Sequence, residues 1–158
     1  MNRHHPVTKH SSVQLLLCSA LCVLMSSCSG GGPQPPTDKE VVPVTGKVTL
    51  DGEPATSVVV KFYPKSSIND PDPNSFQGGV DEQGNLFAGT YANNDGLAPG
   101  EYMVTFEKYD TSNIIIGQKP ADLLKQKYWD PTKSEFSVNV QSGQASADMG
   151  TIELTSPE

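Results

Sequence analysis

The chain has 158 residues, with 18 acidic and 11 basic side chains and a formal net charge of −7. That length suits one domain with a real core, and an acidic body gains nothing from a phosphate backbone, which argues against nucleic acid as a partner. All three histidines, the one arginine and the three cysteines lie within the first 28 residues, so the remainder has no Ser-His-Asp or Cys-His arrangement, no His- or Cys-based zinc site, no arginine fork and no disulfide.

The first element is a leader, residues 1–27. Arg3 and Lys9 make a cationic head, and an apolar run follows from Val13 to Met25. Small residues then precede a break at Ser29-Gly30-Gly31-Gly32-Pro33. This is the pattern of a secretory signal peptide, and the run is shorter than the roughly 20 residues a bilayer span needs. Met25-Ser26-Ser27-Cys28 resembles the lipobox of bacterial lipoproteins, although leucine is usual where Met25 stands. The resemblance implies that the Cys28 thiol is joined to a diacylglycerol, with palmitate among the acyl chains, and that the chain is cut just before it. The alternatives are a plain signal peptide cut near Ser27, leaving a free thiol, and an uncleaved N-terminal helix.

Cutting there leaves residues 28–158 with a charge of −9, because the removed segment carries Arg3 and Lys9 and no acid. Anionic lipid repels such a body, so the membrane is a partner only through the acyl chains on Cys28. Ser29 after the cysteine, rather than Asp, resembles outer-membrane sorting in some bacteria. The expected location is extracytoplasmic and lipid-anchored, at the outer membrane where the cell has one.

Residues 28–40 hold the lipidated cysteine and a tether. SGGGPQPPTDKE has too little apolar surface to offset its ordering entropy, and twelve such residues reach at most about 40 Å. The domain proper spans 41–158. Val42, Val44, Gly46, Val48 and Leu50 alternate with Thr45, Lys47 and Thr49, the period of a half-buried strand. Asp51-Gly52-Glu53-Pro54 turns the chain. Val58, Val60 and Phe62 form the next inward face, with Lys61 opposite.

A proline- and Asx-rich loop occupies 64–75, a short strand 76–80, a hairpin turn 81–85, a returning strand 86–91 and a polar loop 92–100. Tyr102, Val104 and Phe106 alternate with Met103, Thr105 and Glu107. Phe136, Val138 and Val140 form another face, and Ile152 and Leu154 the last, with Gly150 suggesting a bulge. About seven short strands with frequent turns predict an all-β, antiparallel Greek-key β-sandwich. Lys47, Lys61 and the prolines are candidate guards of its edges.

One segment breaks the rhythm. Asp110 to Lys133 joins two strands at several times the usual connection of about 4–6 residues. Leu124 and Tyr128 are spaced to share one face of a short helical turn there. Ile114-Ile115-Ile116 reads as an extra edge strand or as an exposed patch that meets a partner.

Val44-Thr45-Gly46-Lys47-Val48-Thr49-Leu50-Asp51-Gly52 resembles the opening strand and turn of carboxypeptidase-regulatory-like domains. Asp81-Glu82-Gln83-Gly84 with Phe87 resembles their hairpin, and Pro99-Gly100-Glu101-Tyr102-Met103-Val104 their corner. Lys127-Tyr128-Trp129-Asp130-Pro131 resembles a phrase of small bacterial lipoproteins that carry such a domain. The likeness runs from Val41 to Leu154 and implies a transthyretin-like sandwich without catalytic activity or cofactor.

The residues themselves offer few sites. Asp70, Asp72 and Asn74 alternate as calcium ligands do, but Ser75 stands where such a loop needs glycine, and a solvated turn explains them better. Asp81, Glu82, Glu101, Glu107 and Asp110 sit at turns or on outward strand faces, with no spacing that singles out a catalytic pair. Tyr102 after Pro-Gly reads as a corner tyrosine, its ring in the core and its hydroxyl on backbone. Trp129, Tyr128 and Tyr91 make either a core lid or an aromatic platform. The expected role is structural or protein-interacting at the cell envelope. The alternative is a carbohydrate- or peptide-binding module using Trp129 and the 110–133 connection.

Overall fold

The alternating segments pair as two sheets in the computed structural model, which describes residues 39–112 and 115–158. The leader and Cys28 lie outside the described residues, as does Ile114. The smaller sheet holds β1 (Val44–Leu50), β2 (Glu53–Pro54) and β8 (Ala147–Leu154), in the order β2-β1-β8. The larger holds β3 (Val59–Pro64), β4 (Phe76–Val80), β5 (Leu86–Gly89), β6 (Gly100–Glu107) and β7 (Ser137–Val140), in the order β5-β4-β3-β6-β7. The fold is the all-β sandwich that the pattern predicts. One pairing departs from the antiparallel rule: β1 and β8 run parallel, Val44 beside Ala147 and Leu50 beside Leu154.

Val44, Val48, Ile152 and Leu154 from the small sheet meet Val60, Phe62, Val104, Phe106 and Val140 from the large one, all buried. Each such side chain contributes roughly 1.5–3 kcal/mol of burial. Register follows from this face. Val60 opposes Phe106 and Phe62 opposes Val104, while Lys61 opposes Thr105 on the outer side. A slip of one residue would turn the whole set outward.

Turn chemistry holds as expected. Asp51 and Gly52 both take positive φ, 54° and 89°, the conformation a two-residue hairpin requires. The bulge at Gly150 is present: between Thr45 and Lys47 the ladder advances by two residues on β1 and by three on β8, and Gly150 has φ 66°. Tyr102 is buried and its hydroxyl donates to the Ala98 carbonyl at 2.9 Å.

Four expectations are corrected. Lys47 and Lys61 guard no edge, because β1 is central in its sheet and β3 in the other. Lys47 instead donates to the Gln83 carbonyl and to Asn85 Oδ1. The 3₁₀ turn lies at Lys65–Ser67, after β3, and not in the long connection. There, Lys125 and Gln126 adopt left-handed φ of 48° and 63°, which breaks any helix, and the Asp122 carboxylate takes up the amides of Lys108, Leu124 and Gln126. Ile115 and Ile116 form no edge strand but a turn, with Gln118 N–H donating to the Ile115 carbonyl at 3.1 Å. Their loop is closed below them by the Asp110–Ala121 hydrogen bond and the Tyr109–Asp122 bridge. Finally, Glu107 is turned from the core as expected, yet it is only 5% exposed.

The last residue assigned to the tether makes contacts of its own. The Glu40 carboxylate accepts from Ser142 Oγ and from the Gly143 N–H, both at 2.6 Å, and so caps the turn between β7 and β8.

Candidate functional site

The connection from Lys108 to Phe136 carries most of what the sheets do not explain. Its C-terminal part is tied to β6: Phe106 N–H donates to the Tyr128 carbonyl at 3.0 Å, and Val104 N–H to the Phe136 carbonyl at 2.9 Å. Between those anchors the chain bulges at Trp129-Asp130-Pro131-Thr132. Tyr128 and Phe136 turn toward the core, Phe136 meeting Phe106 edge-on at 5.3 Å and Tyr128 at 6.0 Å. Those two rings provide the lid. Trp129 does not, and stays 50% exposed.

Trp129 instead forms a wall common to two clefts. On one side a cleft of about 400 Å³ is lined by Lys127, Tyr128, Lys133, Glu135 and Phe136. On the other a cleft of about 340 Å³ is lined by Tyr63, Ile68, Pro73 and Pro131, with Asp70, Asp72 and Asp130 contributing carboxylates. This second cleft joins the loop after β3 to the bulge after Tyr128. The structure thus brings Tyr128 and Trp129 together, and adds Tyr63, which sequence reasoning missed. Its outward place on β3, two residues beyond Lys61, was the available signal. Tyr91 lines neither cleft. It belongs to the loop that Asp95 closes, where the Asp95 carboxylate accepts from the amides of Thr90, Tyr91 and Ala92 at 2.7, 2.9 and 3.0 Å.

Ile115 and Ile116 stand at the tip of the 110–121 loop, Ile116 fully exposed. Together with Leu123 and Trp129 they are the exposed large hydrophobic side chains among the described residues, and all four belong to this one connection.

Asp81, Asp110 and Glu107, three of the acids considered as catalytic candidates, are engaged in holding loops, as is Asp130. Asp81 accepts from the amides of Gln83 and Asn85 and from the Asn85 side chain, which holds its carboxyl below the usual range, the Asn85 side chain contributing most. Asp110 and Asp130 each accept from the hydroxyl and amide two residues on, at Ser112 and Thr132, and these contacts lower both carboxyls, the hydroxyl bond first. Glu107 lies under the connection, its carboxylate 2.6 Å from Lys61 Nζ and 3.3 Å from Lys119 Nζ. Burial pushes its carboxyl up, but the Lys61 hydrogen bond, Tyr109 and the two lysine charges outweigh burial, and the net displacement is downward. Such a carboxylate is held ionised and paired, which suits a clasp better than a general acid.

Among the described residues no group of three or more His, Cys, Asp or Glu side chains is placed to hold a metal ion. No helix among them is long and apolar enough to cross a membrane. No family model matches the sequence, and no curated protein or solved structure is similar to it.

Proposed function

We propose that this chain is a lipid-anchored, extracytoplasmic β-sandwich module, attached through acyl chains on Cys28, with a non-catalytic protein-interaction role at the cell envelope. One observation carries the interaction role: among the described residues the exposed large apolar side chains gather in the single connection between β6 and β7, while the sheets keep theirs inside. Apolar surface concentrated in one segment marks a contact region. Its placement supports the same reading. Glu40, where the chain enters, meets the turn beyond Val140, and Val140 pairs with Gly100 at the start of β6. The Ile115–Ile116 loop leaves from the other end of that strand, about 25 Å away. The base of that loop is therefore a strand's length from the turn that Glu40 caps. The carboxypeptidase-regulatory-like reading is part of this proposal, supported by the corner at Tyr102 and the hairpin at Asp81–Gly84.

Growth with labelled palmitate tests the anchor. Label should enter the wild type and be lost from Cys28→Ala, and label that persists in the variant overturns it. Crosslinking in the native envelope tests the interaction role: a partner captured by the wild type should be lost from Ile116→Ser or Trp129→Ala, both exposed positions. Capture unchanged by either substitution removes the connection as the contact region. A glycan ligand is the second reading, favoured by the half-exposed indole, and a glycan array on wild type and Trp129→Ala decides it.

A further inference from the structure

We infer that the cleft between Trp129 and Tyr63 receives an extended, basic segment of a partner protein, with a Lys or Arg side chain over Trp129 and its charge between Asp70 and Asp72. This rests on the interaction reading above and names the chemistry of its ligand. Trp129, Tyr63, Pro73 and Pro131 give the cleft ring-shaped, apolar walls, the surface on which extended proline-containing peptides dock and over which cations are attracted. Charge selects the occupant. The described salt bridges are Lys61–Glu107, Lys65–Glu101, Lys119–Glu107 and Lys133–Asp130. Asp130 is thereby neutralised and is further occupied by Thr132, but Asp70 and Asp72 have no cation among the described residues.

Each of those two aspartates is followed by a proline, which fixes φ at Pro71 and Pro73 and restricts the residue before it. The carboxylates are thus carried on a stiff segment, and little order has to be imposed when a cation arrives. The other side of Trp129 is lined by two lysines, Lys127 and Lys133, and two acids, Asp130 and Glu135, so the indole divides an acidic cleft from one whose charges balance. A basic segment is directed to one side of it. The overall net charge of −7 adds attraction at longer range.

Trp129 is the only tryptophan in the chain, so its fluorescence reports this cleft directly. The full chain in detergent is titrated with three capped peptides, Pro-Arg-Pro-Pro-Arg-Pro and its Gln and Glu counterparts, and with cellotriose and chitotriose. The proposal expects the Arg peptide alone to shift or quench the emission, with weaker binding as salt rises. Asp70→Asn/Asp72→Asn, two exposed loop positions, should weaken it about fivefold, the effect of two exposed ion pairs. A silent Arg peptide, equal responses to all three peptides, or an undiminished response in the double variant overturns it. A response to sugar alone overturns it too, while leaving a binding role for Trp129 intact. Loss of the interaction role itself is read separately, from the envelope crosslinking.

Discussion

Lys61 Nζ lies 2.6 Å from the Glu107 carboxylate on the outer face of β3 and β6, and Lys119 reaches the same carboxylate from the loop that carries Ile115 and Ile116. One buried acid therefore ties the central strands to the loop above them. Glu107→Gln leaves Lys61 partly buried without its counter-charge. The expected cost is about 3 kcal/mol, the usual penalty for removing one partner of a buried pair, measured by urea unfolding. Lys119→Ala, whose lysine is mostly exposed, should cost under 1 kcal/mol and instead speed amide exchange in residues 110–121.

Tyr102→Phe keeps the ring that meets Phe76 edge-on at 5.9 Å and removes only the bond to Ala98. The expected loss is about 1 kcal/mol in urea unfolding, with strand pairing unchanged by amide exchange. A loss below a few tenths would show that the hydroxyl does not hold this corner.

Acid should unfold the domain through its loop carboxylates. Asp81, Asp95, Asp110, Asp130 and Glu107 all have folded-state values displaced downward. Their contribution is fully present above the unfolded carboxylate range and is lost as pH falls through the folded values, so Tm should be level near neutrality and drop below about pH 4. Asp95 is the most informative. Burial pushes its carboxyl up, and the amides of Thr90, Tyr91 and Ala92 more than reverse this. Asp95→Asn should flatten part of the acid limb of a Tm-versus-pH curve, and an unchanged limb would exclude this loop as a contributor.

Gly96→Ala should be the most damaging single change in the entry region. Gly96 has φ 103°, and an added Cβ would lie 2.1 Å from the Val42 carbonyl oxygen. Relief requires breaking the Val42–Leu97 pairing, whose two hydrogen bonds are 2.8 and 3.0 Å long. The expected cost is about 3 kcal/mol or more. Gly117 also has a positive φ, 86°, but open space around it, and Gly117→Ala should cost roughly 1 kcal/mol.

The strands, the Tyr102 corner and the Gly150 bulge were legible because period-two alternation and turn chemistry are local. Val60, Phe62, Val104 and Phe106 announce their face within a few residues. What was not legible is non-local. Nothing near Glu107 says that Lys119 and Tyr109 fold back over it, and nothing in Val44–Leu50 says that its neighbour is Ala147–Leu154 in parallel. The connection misled for a different reason. Leu124 and Tyr128 do turn inward, as their spacing suggests, but a chain of turns organised by Asp122 delivers them there without a helix. The Asp-x-Ser, Asp-x-Thr and Asp-x-Gly spacings at 110, 130 and 148 were readable as side-chain turns, and taking the first so would have removed Asp110 from the catalytic candidates.

The parallel pairing of β1 with β8 has a mechanical consequence. The chain enters the ladder at Val44 and leaves it at Leu154, at opposite ends of two strands that run side by side for about 20 Å. A pull between these two points loads the β1–β8 hydrogen bonds in shear, all at once, whereas a hairpin would open one bond at a time. A domain drawn between a fixed N-terminal anchor and a load on its C-terminal side would resist as a single unit. Single-molecule stretching from residues 41 and 155 should show one cooperative rupture, at a force above that of the same domain pulled across the β4–β5 hairpin.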